Sequence, residues 1–169
     1  MSKDILGWAL AVVLSLLTIA GVWKGVQAGI NAYNVYEASS IEGQMSSNIL
    51  TYLKLAGSTT ASGLSNTAAI NADLVPDDVV ISGTTLKGPW NGSTVTLSSL
   101  PSGGFESTWT GVGARGCAKF AASQHPAGGL TVNGTNISVA AGIDNSLTIA
   151  SACNAASGNA ATIVFRYPL

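Results

Sequence analysis

The first 23 residues contain the most apolar segment of the chain. Between Ile5 and Trp23 there is no charged residue and no proline. A helix rises about 1.5 Å per residue, so this segment would span roughly 28 Å, close to the ~30 Å hydrocarbon core of a bilayer. The pattern therefore predicts an apolar helix that inserts into a membrane.

Three interpretations of this segment compete. A secretory signal peptide would end in a small-residue cleavage motif followed by polar mature sequence, whereas here the helical pattern continues past Trp23. A permanent single-pass anchor is the second interpretation. The third is a helix that waits in the membrane and then moves into a protein assembly, where other apolar helices replace the lipid. The continuing helix favours the third interpretation.

The second half of the predicted helix is amphipathic. Apolar residues recur at three- and four-residue steps, which places them on one face: Ala38, Ile41, Met45, Ile49 and Tyr52. Polar and charged residues, including Glu42, are assigned mostly to the other faces. Gly57 supplies a stop signal. We therefore expect a protruding apolar helix over residues 1–29 and a head domain over 30–169 that covers the amphipathic half.

From residue 79 the pattern changes to short β-branched and aromatic runs, which predict strands. The predicted strands are Val79–Ile81, Ser93–Leu97, Phe105–Trp109, Gly129–Val139 interrupted by a type I′ turn at Asn133-Gly134, Leu147–Ile149 and Ala161–Tyr167. The last run is nearly all apolar, which favours an interior strand. A short helix is predicted over Gly116–Ser123. The fold class is α+β, with one long helix packed on an antiparallel sheet.

Composition excludes several functions. Charged residues make up 9% of the chain, the net charge is −1, and the seven Lys and Arg residues do not cluster, so nucleic-acid binding is not expected. The single histidine, His125, has no acid or base partner in sequence, and no Gly-rich phosphate loop follows a strand. Asp77-Asp78 and Asp144 are interpreted as turn or cap residues. We expect no enzyme, no cofactor and no metal site.

The two cysteines, Cys117 and Cys153, lie 36 residues apart and belong to no CxxC or Cys/His cluster. This spacing fits a disulfide in an exported domain, which would tie the short helix to the strand-rich C-terminal region. Two buried free thiols are the alternative.

Three glycines, Gly21, Gly25 and Gly29, are spaced four apart and so share one helix face. They form a small-xxx-small strip that would let helices approach closely, or they simply loosen the helix. Together with Val13 and Leu17, they are the predicted packing residues of the assembly.

The order of these elements resembles the type IVb pilins, in particular the PilS-like branch that builds conjugative thin pili. The similarity is carried by residues 67–97, which contain Leu74-Val75-Pro76 and Pro89-Trp90-Asn91-Gly92, and by the GFESTWTGV strand that precedes the first cysteine. The resemblance implies a major pilin that polymerises into an extracellular filament for conjugation, adhesion or attachment. It also implies an inner-membrane precursor and an assembly machine with a prepilin peptidase, a platform, an ATPase and a secretin.

The start of the chain departs from this family, whose mature chain usually has glutamate at its fifth position. Processing after Gly7 would make Trp8 the first residue and leave Val12 at the glutamate position. Alternatively, Met1 is the mature terminus and Asp4 is the displaced carboxylate. In that case Asp4 needs a cation once it is buried, and a neighbouring subunit offers the Met1 amine and Lys3. A carboxylate that stays at the membrane surface is the simpler interpretation.

Two other functions remain open from sequence. The chain would act as a membrane-anchored adhesin or binding module if it stays monomeric, and as a minor pilin or pseudopilin if it caps or primes a filament.

Overall fold

The computed structural model describes the backbone of residues 2–139, 143–156 and 160–169, and the side chains from residue 25 onward within these ranges. The chain divides into two compact units, Met1–Tyr33 and Asn34–Leu169. Helix α1 runs over Ser2–Leu55 and so contributes to both units.

Helix α1 ends where the sequence predicts. Gly57 adopts a positive φ of 64°, the Gly57 amide donates to the Lys54 carbonyl, and the Ser58 amide donates to the Leu53 carbonyl. These two hydrogen bonds form a Schellman motif, which satisfies carbonyls that the last helical turn leaves without a partner. The glycine therefore stops the helix by supplying a left-handed residue at no steric cost.

The second unit is a head domain that combines helices with one antiparallel sheet. The helices after α1 are α2 (Asn66–Asn71), α3 (Ala114–Ser123) and α4 (Ser146–Asn154). The strands are β1 (Val80–Ser82), β2 (Thr85–Lys87), β3 (Thr94–Ser99), β4 (Phe105–Gly113), β5 (Leu130–Val132), β6 (Thr135–Ile137) and β7 (Ala160–Tyr167). Their order across the sheet is β1-β2-β3-β4-β7-β5-β6, with every pair antiparallel. The predicted α+β fold is confirmed.

The C-terminal strand β7 lies inside the sheet, as its apolar run predicts. It pairs with β4 on one side, where Trp109 faces Ile163, and with β5 on the other, where Leu130 faces Phe165. Ile163 and Phe165 are fully buried because alternate residues of the strand point into the core.

The amphipathic face of α1 packs into this core, with one correction. Ala38, Ile41, Met45 and Ile49 are buried, whereas Tyr52 is 50% exposed and Leu53 is the buried residue of that turn. Tyr52 lines a cleft of the head domain together with Leu53, Ala61 and Leu64.

The prediction of a strand over Leu147–Ile149 is wrong, because these residues belong to α4. Leu147 is 84% exposed while Ile149 is buried, although residues two apart would share one face of a strand. The Asp144 carboxylate accepts a hydrogen bond from the Ser146 amide, and this local turn leads into the helix. Three apolar or β-branched residues are too few to distinguish a strand from a helical turn.

The predicted type I′ hairpin turn is confirmed at Asn133 and Gly134, which have φ values of 47° and 84°. The Asn133 side chain also ties the turn to its surroundings. Its amide group donates to the Ala152 carbonyl at 2.8 Å, and its oxygen accepts from the Thr162 amide at 2.8 Å. The turn is therefore fixed to both α4 and β7.

Candidate functional site

The two cysteines form the predicted disulfide. Cys117 lies on α3 and Cys153 on α4, their Cα atoms are 5.9 Å apart, and both are buried. The bond joins two helices that pack side by side, rather than the short helix to a strand. It therefore fixes the pair α3 and α4 over one region of the sheet.

Removing the disulfide should weaken the head domain without changing its fold. A Cys117→Ser, Cys153→Ser double variant is expected to lose about 3–4 kcal/mol of unfolding free energy, on the chain-entropy model for a loop of this size. Urea unfolding of both proteins under oxidising conditions measures the difference. Wild-type protein treated with reductant is the control and should match the double variant, whereas equal stability of the variant and the oxidised wild type would contradict the prediction.

Two of the three strip glycines fall among the described side chains. Gly25 and Gly29 have no atom within 4 Å of the position that a Cβ would occupy. Neighbouring apolar residues of the same unit are largely exposed: Val26 by 50%, Ile30 by 57% and Tyr33 by 64%. This stretch of α1 therefore presents an apolar surface with gaps at the glycines.

The other predicted assembly residues lie outside the side chains that the structure describes. They are Met1, Lys3, Asp4, Val13, Leu17 and Gly21. The apolar segment Ile5–Trp23 falls in the same region. Among the residues from 25 onward that are described, no helix is both long enough and apolar enough to cross a bilayer.

Glu42 is the most unusual polar residue of the described head domain. It lies on α1 and its side chain is fully buried. One carboxylate oxygen, Oε1, accepts hydrogen bonds from the Ser107 hydroxyl at 2.6 Å and from the Tyr167 hydroxyl at 2.7 Å. The other, Oε2, accepts from the Trp109 indole N–H at 2.7 Å. One carboxyl group thus connects α1 to strands β4 and β7.

Burial dominates the electrostatics of this Glu42 cluster. It raises the pKa of Glu42 above the ordinary value of 4.5, and the hydrogen bonds from Ser107, Trp109 and Tyr167 offset only part of that shift. All three donors are neutral, and no ion pair to Glu42 is found among the described side chains. The pKa of Tyr167 is also raised, first by burial and then by the neighbouring Glu42 carboxylate.

Glu42 was expected on a face of α1 other than the apolar stripe, and that prediction is wrong. Glu42 lies four residues after Ala38, three before Met45 and seven before Ile49, so it belongs to the buried stripe itself. Helical spacing alone could have located it. Glutamate is rarely buried in proteins, so its residue type indicated the opposite of its spacing.

The described residues contain little that is typical of a catalytic or metal site. Within the described ranges, no group of three or more His, Cys, Asp or Glu side chains is placed to hold a metal ion. His125 is exposed in the loop after α3. The Asp144 carboxylate, also exposed, bonds to Ser146, and this bond lowers its pKa.

A comparison with protein-family models identifies the head domain. The family model described as PilS N terminal matches residues 34–167, which is 134 of the 169 residues. No curated protein and no solved structure gives a significant match. PilS-like pilins are structural proteins of bacterial surface filaments and not an enzyme family. With a long N-terminal helix on an antiparallel sheet and a matching head domain, the chain belongs to the family of PilS-like type IV pilins.

Proposed function

We propose that this protein is the major structural subunit of a type IVb pilus, and that it polymerises by packing its N-terminal helices into the core of an extracellular filament. The pilus would serve conjugation, adhesion or attachment. The proposal rests on the pilin family of the chain and on the exposed apolar side chains of α1 around the start of the head domain.

The apolar surface of α1 is the observation that carries this proposal. Val26, Ile30 and Tyr33 follow one another at four- and three-residue steps, so they share one side of the helix. Apolar surface gains roughly 25 cal/mol per Å² when it leaves water. Burying these exposed side chains against another protein surface is therefore favourable. In a filament of identical subunits, the same helix of a neighbouring subunit can provide that surface.

The proposal also assigns separate roles to the two parts of the chain. Residues 1–29 would form the filament core, with Val13, Leu17, Gly21, Gly25 and Gly29 as packing residues, and residues 30–169 would form the head. Before assembly, the uncharged segment Ile5–Trp23 would hold the precursor in the inner membrane. Prepilin peptidase, platform protein, motor ATPase and secretin are the expected assembly partners.

Registration of subunits is assigned to the start of the chain. In the apolar core, the Asp4 carboxylate would pair with the Met1 amine or with Lys3 of a neighbouring subunit, because an unpaired buried charge is strongly destabilising. N-terminal sequencing of purified filaments tests this assignment directly. A mature chain that starts at Trp8 would remove Asp4 and overturn it.

A charge in the predicted filament core should abolish assembly. Val13→Asp is expected to eliminate surface filaments while the head domain still folds and forms its Cys117–Cys153 bond, because a carboxylate cannot be buried among apolar helices without a cation. Electron microscopy of sheared cell-surface material, with mass spectrometry of the filaments, measures the effect. Val13→Leu is the matched control and should assemble normally.

The same assay separates the competing functions. Normal filaments in the Val13→Asp strain would overturn the proposed core packing. Wild-type cells that display only monomers would favour a membrane-anchored adhesin. Filaments that contain this chain as a trace component would favour a minor pilin or pseudopilin.

A further inference from the structure

The carboxyl group of Glu42 is buried at the junction of three elements, and the proposed function assigns it no role. Its donors come from β4 (Ser107 and Trp109) and from β7 (Tyr167), while Glu42 itself comes from α1. Packing an apolar side chain here would hold the helix on the sheet without a titratable group. The cluster therefore places a titratable group in the contact between helix and sheet, which apolar packing alone would not do.

We propose that the Glu42 cluster is a proton-operated latch, which holds helix α1 on the sheet more firmly when Glu42 is neutral than when it is ionised. The latch concerns the fold of the head domain itself. It is therefore independent of whether the chain is a major pilin, a minor pilin or an adhesin.

The hydrogen-bonding groups of the cluster can also accommodate a neutral carboxyl group. Oε2 can keep accepting from the Trp109 indole, while a proton on Oε1 is donated to the hydroxyl oxygen of Ser107 or Tyr167. Hydroxyl groups both donate and accept, so they reverse one hydrogen bond without moving a heavy atom. Protonation thus preserves the contacts between α1, β4 and β7.

The ionised form keeps the same contacts but places a charge in the core. Glu42 has no exposed surface and its three donors are neutral. Hydrogen bonds stabilise a buried carboxylate, yet they replace only part of the hydration that it loses. The contact between α1 and the sheet is therefore weaker in the ionised state.

Charged groups on the surrounding elements point away from the cluster. On the strands, Glu106 follows Phe105 and Arg166 precedes Tyr167, so both occupy the opposite sheet face, where the Arg166 Nε lies 3.6 Å from the Glu106 Oε2. Tyr167 is the titratable group that faces Glu42, and its raised pKa keeps it neutral in the physiological range.

The nearby helices also keep their charges at the surface. Arg115 and Lys119 of α3 are exposed, and on α1 Lys54 is exposed and Glu37 is half-buried. None of these groups is among the causes that shift the pKa of Glu42, whose first cause is burial.

The direction of the pH effect follows from the raised pKa of Glu42. Below the ordinary value of 4.5, folded and unfolded chains are both protonated, and the contribution to stability is fully present. Above 4.5 the unfolded chain loses its proton while the folded chain retains it. This part of the stability is therefore lost as the pH rises from 4.5 to the pKa of Glu42 in the fold.

Glu42→Gln is the variant that locks the latch in its neutral form. An amide oriented with its oxygen toward Trp109 and its NH₂ group toward Ser107 and Tyr167 can make every hydrogen bond of the cluster. The full-length chain in detergent micelles is unfolded with urea between pH 4 and 8. The wild-type unfolding constant should rise by up to tenfold per pH unit above pH 4.5.

Two variants show whether this rise belongs to Glu42. The rise of the unfolding constant above pH 4.5 should be missing from Glu42→Gln. It should persist in Glu106→Gln, which removes a carboxylate from the other face of the sheet. Wild-type and Glu42→Gln proteins whose stabilities change in parallel with pH would overturn the latch.

A second readout does not require Glu42→Gln to fold. The chain contains three glutamates, Glu37, Glu42 and Glu106, so ¹³C labelling of their carboxyl carbons gives three NMR signals. Glu37→Gln and Glu106→Gln variants assign the remaining signal to Glu42. Titration of that signal above pH 4.5, with protection of the residue 38–53 amides decreasing over the same range, supports the latch. Titration at or below pH 4.5 overturns it.

Discussion

A chain that ends at Ala161 is not expected to fold its head domain. Removing residues 162–169 deletes most of β7, including Ile163 and Phe165, which are fully buried. Truncating a single core side chain of this kind costs about 2–5 kcal/mol. Because whole domains are stable by only about 5–15 kcal/mol, losing both side chains and the strand that carries them exceeds what the fold can tolerate.

The position of β7 makes the loss larger than its length suggests. In the part of the sheet that the structure describes, β5 pairs with β6 and β7, so without β7 no strand pairing joins the β5–β6 hairpin to β4. Resistance of the full-length and truncated chains to protease in detergent measures the effect. A chain that lacks only Pro168 and Leu169, both exposed, is the control and should behave as wild type. A truncated head domain with wild-type protease resistance would show that β7 is dispensable.

Gly104→Ala is expected to destabilise the head domain by about 4 kcal/mol or more. Gly104 has a φ of 80°, and a Cβ at this position would lie 2.1 Å from the Tyr167 carbonyl oxygen and 2.8 Å from the Pro168 Cα. Both are backbone atoms, so no change of side-chain rotamer relieves the contact. The start of β4 and the end of β7 would have to separate.

Gly134→Ala is the matched control for this substitution. Gly134 has nearly the same φ, 84°, but no atom lies within 4 Å of its Cβ position. Its substitution should cost only the left-handed strain, about 1–2 kcal/mol. Urea unfolding of the two variants compares them directly. Equal loss of stability in both would mean that the backbone angle, and not the close approach to Tyr167, restricts residue 104.

Features with a local cause were the ones that sequence could predict. The end of α1 depends on one glycine and the β5–β6 turn on an Asn-Gly pair, so neighbouring residues contain the necessary information. The interior position of β7 follows from its apolar run. The strand assigned to Leu147–Ile149 was wrong because three residues do not establish a period, and these residues belong to the helix that follows the Asp144–Ser146 hydrogen bond.

The Glu42 cluster shows what the sequence could not supply. Helical spacing places Glu42 on the buried stripe, but its partners are 65 to 125 residues away in the chain. Each partner is an ordinary inward-facing residue of its own strand. Only the pairing of β4 with β7 brings Ser107, Trp109 and Tyr167 to one point, and a single sequence does not specify that pairing.

The Cys117–Cys153 bond should also control how fast the sheet closes. Strand β7 must return to β4, and Gly113 pairs with Ala160 after an excursion of 47 residues. Through the bond the path is only 11 residues, four from Gly113 to Cys117 and seven from Cys153 to Ala160. Loop closure scales with length to the power of about 3/2, so the shorter path raises the encounter probability roughly ninefold. Thiol oxidation before strand insertion would therefore act as an accelerator of folding.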